Sequence, residues 1–277
     1  MKFIDRIFGR KSREQKTLEN EIAELSVFAE SLRRSAVECV PQTDKISTRV
    51  DESRLGGWPA WPKGQDLPKA EDGESMIFLA QLNFADTPAM APFPSRGLLQ
   101  FFCADEDLFG SKFPSEQQSG FRTIYHESTE DLILVDPYQG QIPEMMPFQD
   151  ENLCENGYPL LFKEASALPG SANYEIYAKT EHLWSKKDPN LDALIDSFFE
   201  NLDNDAAGQM FFGGHPKFVQ YDIRSADKYS EYTHVLMQFG MPEGMMWGDA
   251  GEACFLISET DLKNKNFTNA IYSWDCG

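Results

Sequence analysis

Two glutamines occupy matching places in the chain. Gln81 and Gln238 each follow an apolar run of strand length, Ile77-Phe78-Leu79-Ala80 and Val235-Leu236-Met237. Each lies 24 residues beyond the second glycine of a turn, Gly56-Gly57-Trp58-Pro59 or Gly213-Gly214-His215-Pro216. A carboxamide donates and accepts, so a strand-end glutamine can orient a ligand from two sides of a cleft or fasten a neighbouring loop. The Gly-Gly-x-Pro backbone is the natural partner for fastening. Paired glycines also permit the positive φ of an anion-binding nest, yet the proline removes a donor and no Gly-rich phosphate motif surrounds them. We therefore read Gly56, Gly57, Pro59, Gly213, Gly214 and Pro216 as tight turns. Trp247-Gly248-Asp249-Ala250-Gly251 places an aromatic and a carboxylate in one loop before a strand, where binding residues sit on a rigid frame. Asp249 as a general base requires a partner acid or a raised pKa; as an Asx turn it requires neither. With Trp58 and Trp61 added, the candidate ligand-binding set is Trp58, Trp61, Gln81, Gln238, Trp247 and Asp249.

Other chemistry finds little support. Five cysteines are scattered with no C-x-x-C pair, the usage of reduced, mostly buried thiols. Four histidines make no metal-ligand spacing, so neither a metal nor a cofactor is expected. Asp275 and Cys276 with a remote histidine could imitate a nucleophilic pair, but a chain-terminal cysteine with no signature around it reads as inert. There is no G-x-S-x-G elbow and no phosphate-transfer motif. No reaction follows from the sequence.

The elements that must position these residues read as a repeat. The two turns lie at an offset of 157 residues, the two glutamines keep it, and Gly97 to Leu108 aligns with Gly251 to Leu262 at 154, with identities at Gly97/Gly251, Phe101/Phe255, Asp107/Asp261 and Leu108/Leu262. Each unit reads as a turn, a strand ending near the glutamine, a second strand, a short helix and another strand; in the second unit Ser258 caps the helix. Between them lie Tyr138 to Leu168, rich in turn residues, and a helix with Leu191, Leu194, Ile195, Phe198, Phe199 and Leu202 on one face. No steady βαβ rhythm appears. The expected fold is α+β, two related halves from an internal duplication with mainly antiparallel sheets, peripheral helices and an N-terminal helix. The expected division is a basic N-terminus and amphipathic helix over residues 1–45, then a body over 46–277, with halves at about 50–135 and 206–277 around an insert at about 136–205.

That N-terminus differs in charge. Lys2, Arg6, Arg10, Lys11, Arg13 and Lys16 face only Asp5 and Glu14, with Phe3, Ile4, Ile7 and Phe8 on the other side of a helix. The pattern suits weak contact of residues 1–16 with an anionic membrane surface, or simply a frayed basic terminus. From Leu18, an apolar stripe through Ile22, Leu25, Ala29, Leu32 and Ala36 predicts one helix running to Pro41.

Composition excludes whole classes. At 277 residues with 41% hydrophobic and 13% aromatic content, the chain has ample material for a core and is not disordered. A net charge of −20 opposes nucleic-acid binding, which rests on Lys and Arg. With no bilayer-length apolar run and no secretory signal, a cytoplasmic protein is expected.

Six blocks carry a family resemblance: Gly56-Gly57-Trp58-Pro59 with Trp61-Pro62, Phe78-Leu79-Ala80-Gln81-Leu82-Asn83, Gly97-Leu98-Leu99-Gln100-Phe101-Phe102, Gly213-Gly214-His215-Pro216 with Gln220-Tyr221-Asp222, Met246-Trp247-Gly248-Asp249-Ala250-Gly251, and Tyr272-Ser273-Trp274-Asp275-Cys276. Over about Leu55 to Cys276 the chain resembles the YwqG-like bacterial family. The resemblance implies a duplicated α+β fold and no settled activity. Two functions follow as expectations. One is a non-catalytic binding protein, for instance an immunity or antitoxin-like factor, whose acidic surface meets a basic protein partner. The other is a small-molecule-binding domain or enzyme with a pocket between the halves.

Overall fold

The computed structural model describes residues 13–116, 118–140, 142, 147–185, 189–205 and 207–277. The residues before Arg13 lie outside this range, and with them the expected membrane-surface contact of the basic terminus. The chain runs through α1 (Arg13–Ser31), β1 (Arg34–Pro41), β2 (Arg54–Leu55), β3 (Ala60–Pro62), β4 (Ile77–Asn83), β5 (Leu98–Cys103), β6 (Phe121–His126), β7 (Leu132–Leu134), α2 (Glu151–Glu155) and β8 (Tyr158–Ala167). It continues through α3 (Tyr174–Trp184), α4 (Pro189–Asn204), β9 (Met210–Gly213), β10 (His234–Phe239), β11 (Glu252–Ile257), α5 (Glu259–Lys263) and β12 (Ile271–Asp275). Among the described residues, no helix is long and apolar enough to cross a membrane.

Ten strands form one sheet, ordered β12-β11-β10-β9-β1-β8-β2-β4-β5-β6, and every pairing in it is antiparallel. The sheet curls until its outer edges meet. Tyr272 N–H donates to the Ser115 carbonyl at 3.1 Å, Thr123 Oγ1 donates to the Phe267 carbonyl at 2.5 Å, and Phe121 and Tyr272 lie 5.5 Å apart. The enclosed space is filled by aromatic residues: Phe101 sits 5.0 Å from Phe255, which sits 4.6 Å from Tyr272. Side chains alternate in and out along each strand, so in β11 Ala253, Phe255 and Ile257 face this interior while Cys254 and Leu256 join an outer cluster with Ile271 and Val235. Bulges at Phe78/Ala80 in β4 and Val235/Met237 in β10 turn two successive residues inward in each strand.

Three expectations are corrected. The N-terminal stripe does not continue as a helix to Pro41: α1 ends at Ser31 and Ala36 lies in β1. The residues after Arg34 alternate instead, Ala36 facing the outer cluster while Val37 and Cys39 face the interior, a period of two that the α1 stripe masks. The first repeat unit has no short helix after β5; Phe109 and Gly110 adopt left-handed φ of 46° and 79° there, which a helix does not admit. The turn-rich stretch from Tyr138 to Leu168 contains the ten-residue β8, whose half-exposed pattern conceals a central strand. The predicted amphipathic helix is α4, and its Leu191, Ile195, Phe198, Phe199 and Leu202 pack with Leu18 and Ala29 of α1 and Ile176 and Leu183 of α3.

Four cysteines are buried and Cys276 is partly exposed. Burial pushes the thiols of Cys39, Cys103 and Cys254 up, and that of Cys154 up to about 11. A thiol-specific reagent should modify Cys276 alone in the native state, the others only after unfolding. In urea, Phe255→Ala should cost about 3–5 kcal/mol by emptying the centre of the aromatic interior, whereas Phe113→Ala, at an exposed site, should change stability by less than about 0.5 kcal/mol.

Candidate functional site

The six sequence-predicted site residues do not converge. Gln81 is fully buried: its Oε1 accepts from Ala60 N–H at 3.0 Å, and its Nε2 donates to the carbonyls of Val50 and Glu52 at 3.0 and 2.8 Å. Gln238 does the same on the other side of the sheet, its Oε1 accepting from Lys217 N–H at 3.0 Å and its Nε2 donating to Glu252 Oε2 at 2.9 Å. Both amides fasten the chain after a Gly-Gly-x-Pro turn, and neither lines a described cavity. All four turn glycines have positive φ, and a Cβ on Gly56 would run into the Leu153 carbonyl. Trp61 packs edge-on against Phe102 and His126 at 5.9 and 5.6 Å, and Trp58 is 39% exposed. Trp247 is wholly buried against Phe109 and Phe239, while Asp249 stands at the surface. Gln100, which sequence reasoning passed over, completes the first network: its Nε2 donates to the Ala60 carbonyl at 2.7 Å and its Oε1 faces His126 Nε2 at 2.9 Å. It lies directly across the ladder from Gln81, a pairing set by strand register.

A cleft of about 510 Å³ opens between α3 and the loop before β10. Tyr174, Tyr177, Ala178 and Glu181 recur at i, i+3, i+4 and i+7, so α3 turns all four toward Tyr221 and Asp222. The spacing was legible, but no motif flagged it. Asn173 caps α3 by accepting from Glu175 N–H at 2.9 Å, which sets where Tyr174 begins the helix. The facing loop is anchored at both ends. Asp275 accepts from the N–H groups of Val219 and Gln220 at 3.0 and 2.8 Å, and Asp222 pairs with Arg224 at 2.5 Å while accepting from Tyr174 N–H at 3.2 Å. Asp222 and Arg224 are buried together, and the Arg224 guanidinium lies 5.2 Å from the Tyr174 ring centroid. Between these anchors Tyr221 is displayed 58% exposed, opposite Tyr177 at 50%, with Glu181 at the surface beside them. Tyrosine faces with a carboxylate at their edge attract an ammonium or guanidinium group. The neighbouring α4 carries Asp192, Asp196, Glu200 and Asp203 and no basic residue.

A family model for a domain of unknown function, DUF1963, matches residues 53–276. The chain belongs to this family. No curated protein matches it. The DUF1963 match takes in both faces of the cleft and all three buried glutamines, and leaves out α1 and β1.

His215, in the second turn, is buried, and its Nε2 donates to the Leu32 carbonyl at 2.7 Å. Burial lowers its pKa from 6.5 to about 4, so the folded chain holds it neutral while the unfolded chain takes up a proton first as pH falls. Its contribution is complete above about pH 6.5 and is lost as pH falls toward about 4, amounting to about 3 kcal/mol. His215→Gln should flatten the slope of unfolding free energy against pH in that window, measured by urea titrations at successive pH values. Gln238→Ala, which strands Lys217 N–H, should cost about 1–3 kcal/mol.

Proposed function

We propose that this DUF1963 protein is a non-catalytic binding protein whose tyrosine-lined cleft takes a Lys or Arg side chain from a basic protein partner. The observation that carries it is exposed Tyr177 and Tyr221 lining one cleft with Glu181 on an anchored frame. A net charge of −20 and the acidic α4, which packs with α3, support the same polarity, since opposite charge speeds encounter. An immunity or antitoxin-like factor in the cytoplasm that neutralises a cationic toxin is one role of this kind. The proposal includes descent by internal duplication and the YwqG-like resemblance. Strand order β9-β10-β11-β12 opposite β2-β4-β5-β6 supports the duplication, as do bulges at the same offset and glutamine bonds to Ala60 and Lys217 in equivalent turns.

A deca-lysine peptide titrated into the full chain tests the cleft. Binding should weaken as salt rises, and Tyr177→Ala with Tyr221→Ala and Glu181→Gln should weaken it at least about tenfold. Glu71→Gln with Asp72→Asn, on a remote loop, should leave it unchanged. Equal losses from the two sets would reduce the attraction to diffuse charge and overturn the cleft assignment.

A further inference from the structure

A second cavity, of about 440 Å³, lies where the two sides of the sheet meet. Its apolar wall is Met90, Ala91 and Phe93 from the β4–β5 loop, and this wall is braced on the other side of the molecule. Phe93 packs edge-on against Phe212 with ring centroids 5.1 Å apart, and a Cβ on Gly213 would meet the Met90 methyl and the Ser35 carbonyl. The opposing wall carries the start of β1, where Arg34 is half-buried.

Arg34 is the one arginine among the cavity's lining residues. Its Nη1 donates to the Thr233 carbonyl at 3.0 Å, and among the described residues no carboxylate lies within ion-pair distance of it. The adjacent Arg33 is bonded to both Glu30 and Asp205, at 2.6 and 2.7 Å, and Arg224 has Asp222. In a chain of −20 charge carboxylates are abundant, and a half-buried guanidinium with most of its five donors unused is costly. Two other groups line the cavity without answering that charge. Glu259 is paired with Lys263 at 2.6 Å, one turn on. His234 faces Thr233 Oγ1 through Nδ1 at 3.0 Å, and burial lowers its pKa, so it offers a neutral ring nitrogen. Burial and then the field of Arg224 lower the proton affinity of Arg34, against the opposing pull of Glu175 and Tyr174.

We propose that this cavity binds a small organic carboxylate, its head paired with the Arg34 guanidinium and its apolar body against Met90, Ala91 and Phe93. A carboxylate fits better than a phosphate. One guanidinium matches one negative charge in bidentate geometry, and the Gly-Gly turn adds no nest because Gly214 N–H is spent on the Ser35 carbonyl at 2.9 Å. The volume falls within the range of small-molecule pockets. This site is separate from the tyrosine cleft, with which it shares no lining residue.

Calorimetric titration of the full chain with hexanoate, its neutral isostere hexanamide and inorganic phosphate tests the assignment. Hexanoate should bind at least about tenfold more tightly than hexanamide or phosphate, a difference of about 1.4 kcal/mol. Arg34→Gln should abolish the preference for acid over amide, and Phe93→Ala should weaken hexanoate while keeping that preference. Met90→Trp, in a surface loop, should block the cavity and remove binding even if Arg34→Gln fails to fold. Equal binding of acid and amide, preference retained in Arg34→Gln, phosphate binding as tightly as hexanoate, or no hexanoate binding at about 10 mM would each overturn the proposal.

Discussion

Strand β1 joins the two sides of the sheet. It pairs with β8 over eight residues, from Arg34↔Ala167 to Pro41↔Leu160, and with β9 through Ala36, Val37 and Glu38. Without it, β8 and β9 would each present an unpaired edge in the middle of the molecule, the arrangement that invites misassociation. The same strand contributes Val37 and Cys39 to the aromatic interior and Ala36 to the outer cluster. The DUF1963 match starts twelve residues after β1 ends, so a segment outside the match supplies the strand on which the order of the whole sheet depends.

From that central pairing the rest of the architecture follows by two opposed demands. Curling brings Phe101, Phe121, Phe239, Phe255 and Tyr272 into one enclosed interior, which removes a large apolar area from water. The outward-facing positions of the same strands then need cover, and the loops after the Gly-Gly-x-Pro turns provide it. Those loops carry backbone donors and acceptors under their own cover, and Gln81, Gln100 and Gln238 satisfy them. The amides are part of how the sheet is closed over on its outside, which is why they are buried and fully partnered.

Electrostatics separates the two cavities. In the cleft beside α3 the buried pair Asp222–Arg224 is self-contained and braces the loop, leaving Tyr177, Tyr221 and Glu181 to face outward with net negative character. In the cavity between the sides the order is reversed: the acidic Glu259 is paired, and the basic Arg34 makes no ion pair with a carboxylate among the described residues. Arg34 thus stands without an ion-pair partner among the described residues, in the place where elements from both sides of the sheet and α5 converge.

Local signals were legible wherever a residue type has one strong physical use. The four turn glycines announced positive φ, the run before each glutamine announced a strand, Ser258 announced the cap of α5, and the apolar face of α4 announced a buried helix. The division between α1 and β1 was not legible, because Leu32 and Ala36 extend a helical stripe whose last member is recruited to a sheet by pairing with residues more than a hundred positions away. The same limit applied to the sites. Trp247 and Asp249 are neighbours in sequence, yet one points into the interior and the other to solvent, whereas Tyr177 and Tyr221, or Arg34 and Met90, meet only because the curled sheet brings distant segments together. By itself the sequence determined the Gly-Gly turns, the strands that lead to Gln81 and Gln238 and the apolar face of α4, since backbone sterics and hydrophobic periodicity act over a few residues. Only the tertiary structure decided which side chains share a cavity and which charge is left without a partner, since those depend on strand order and curvature.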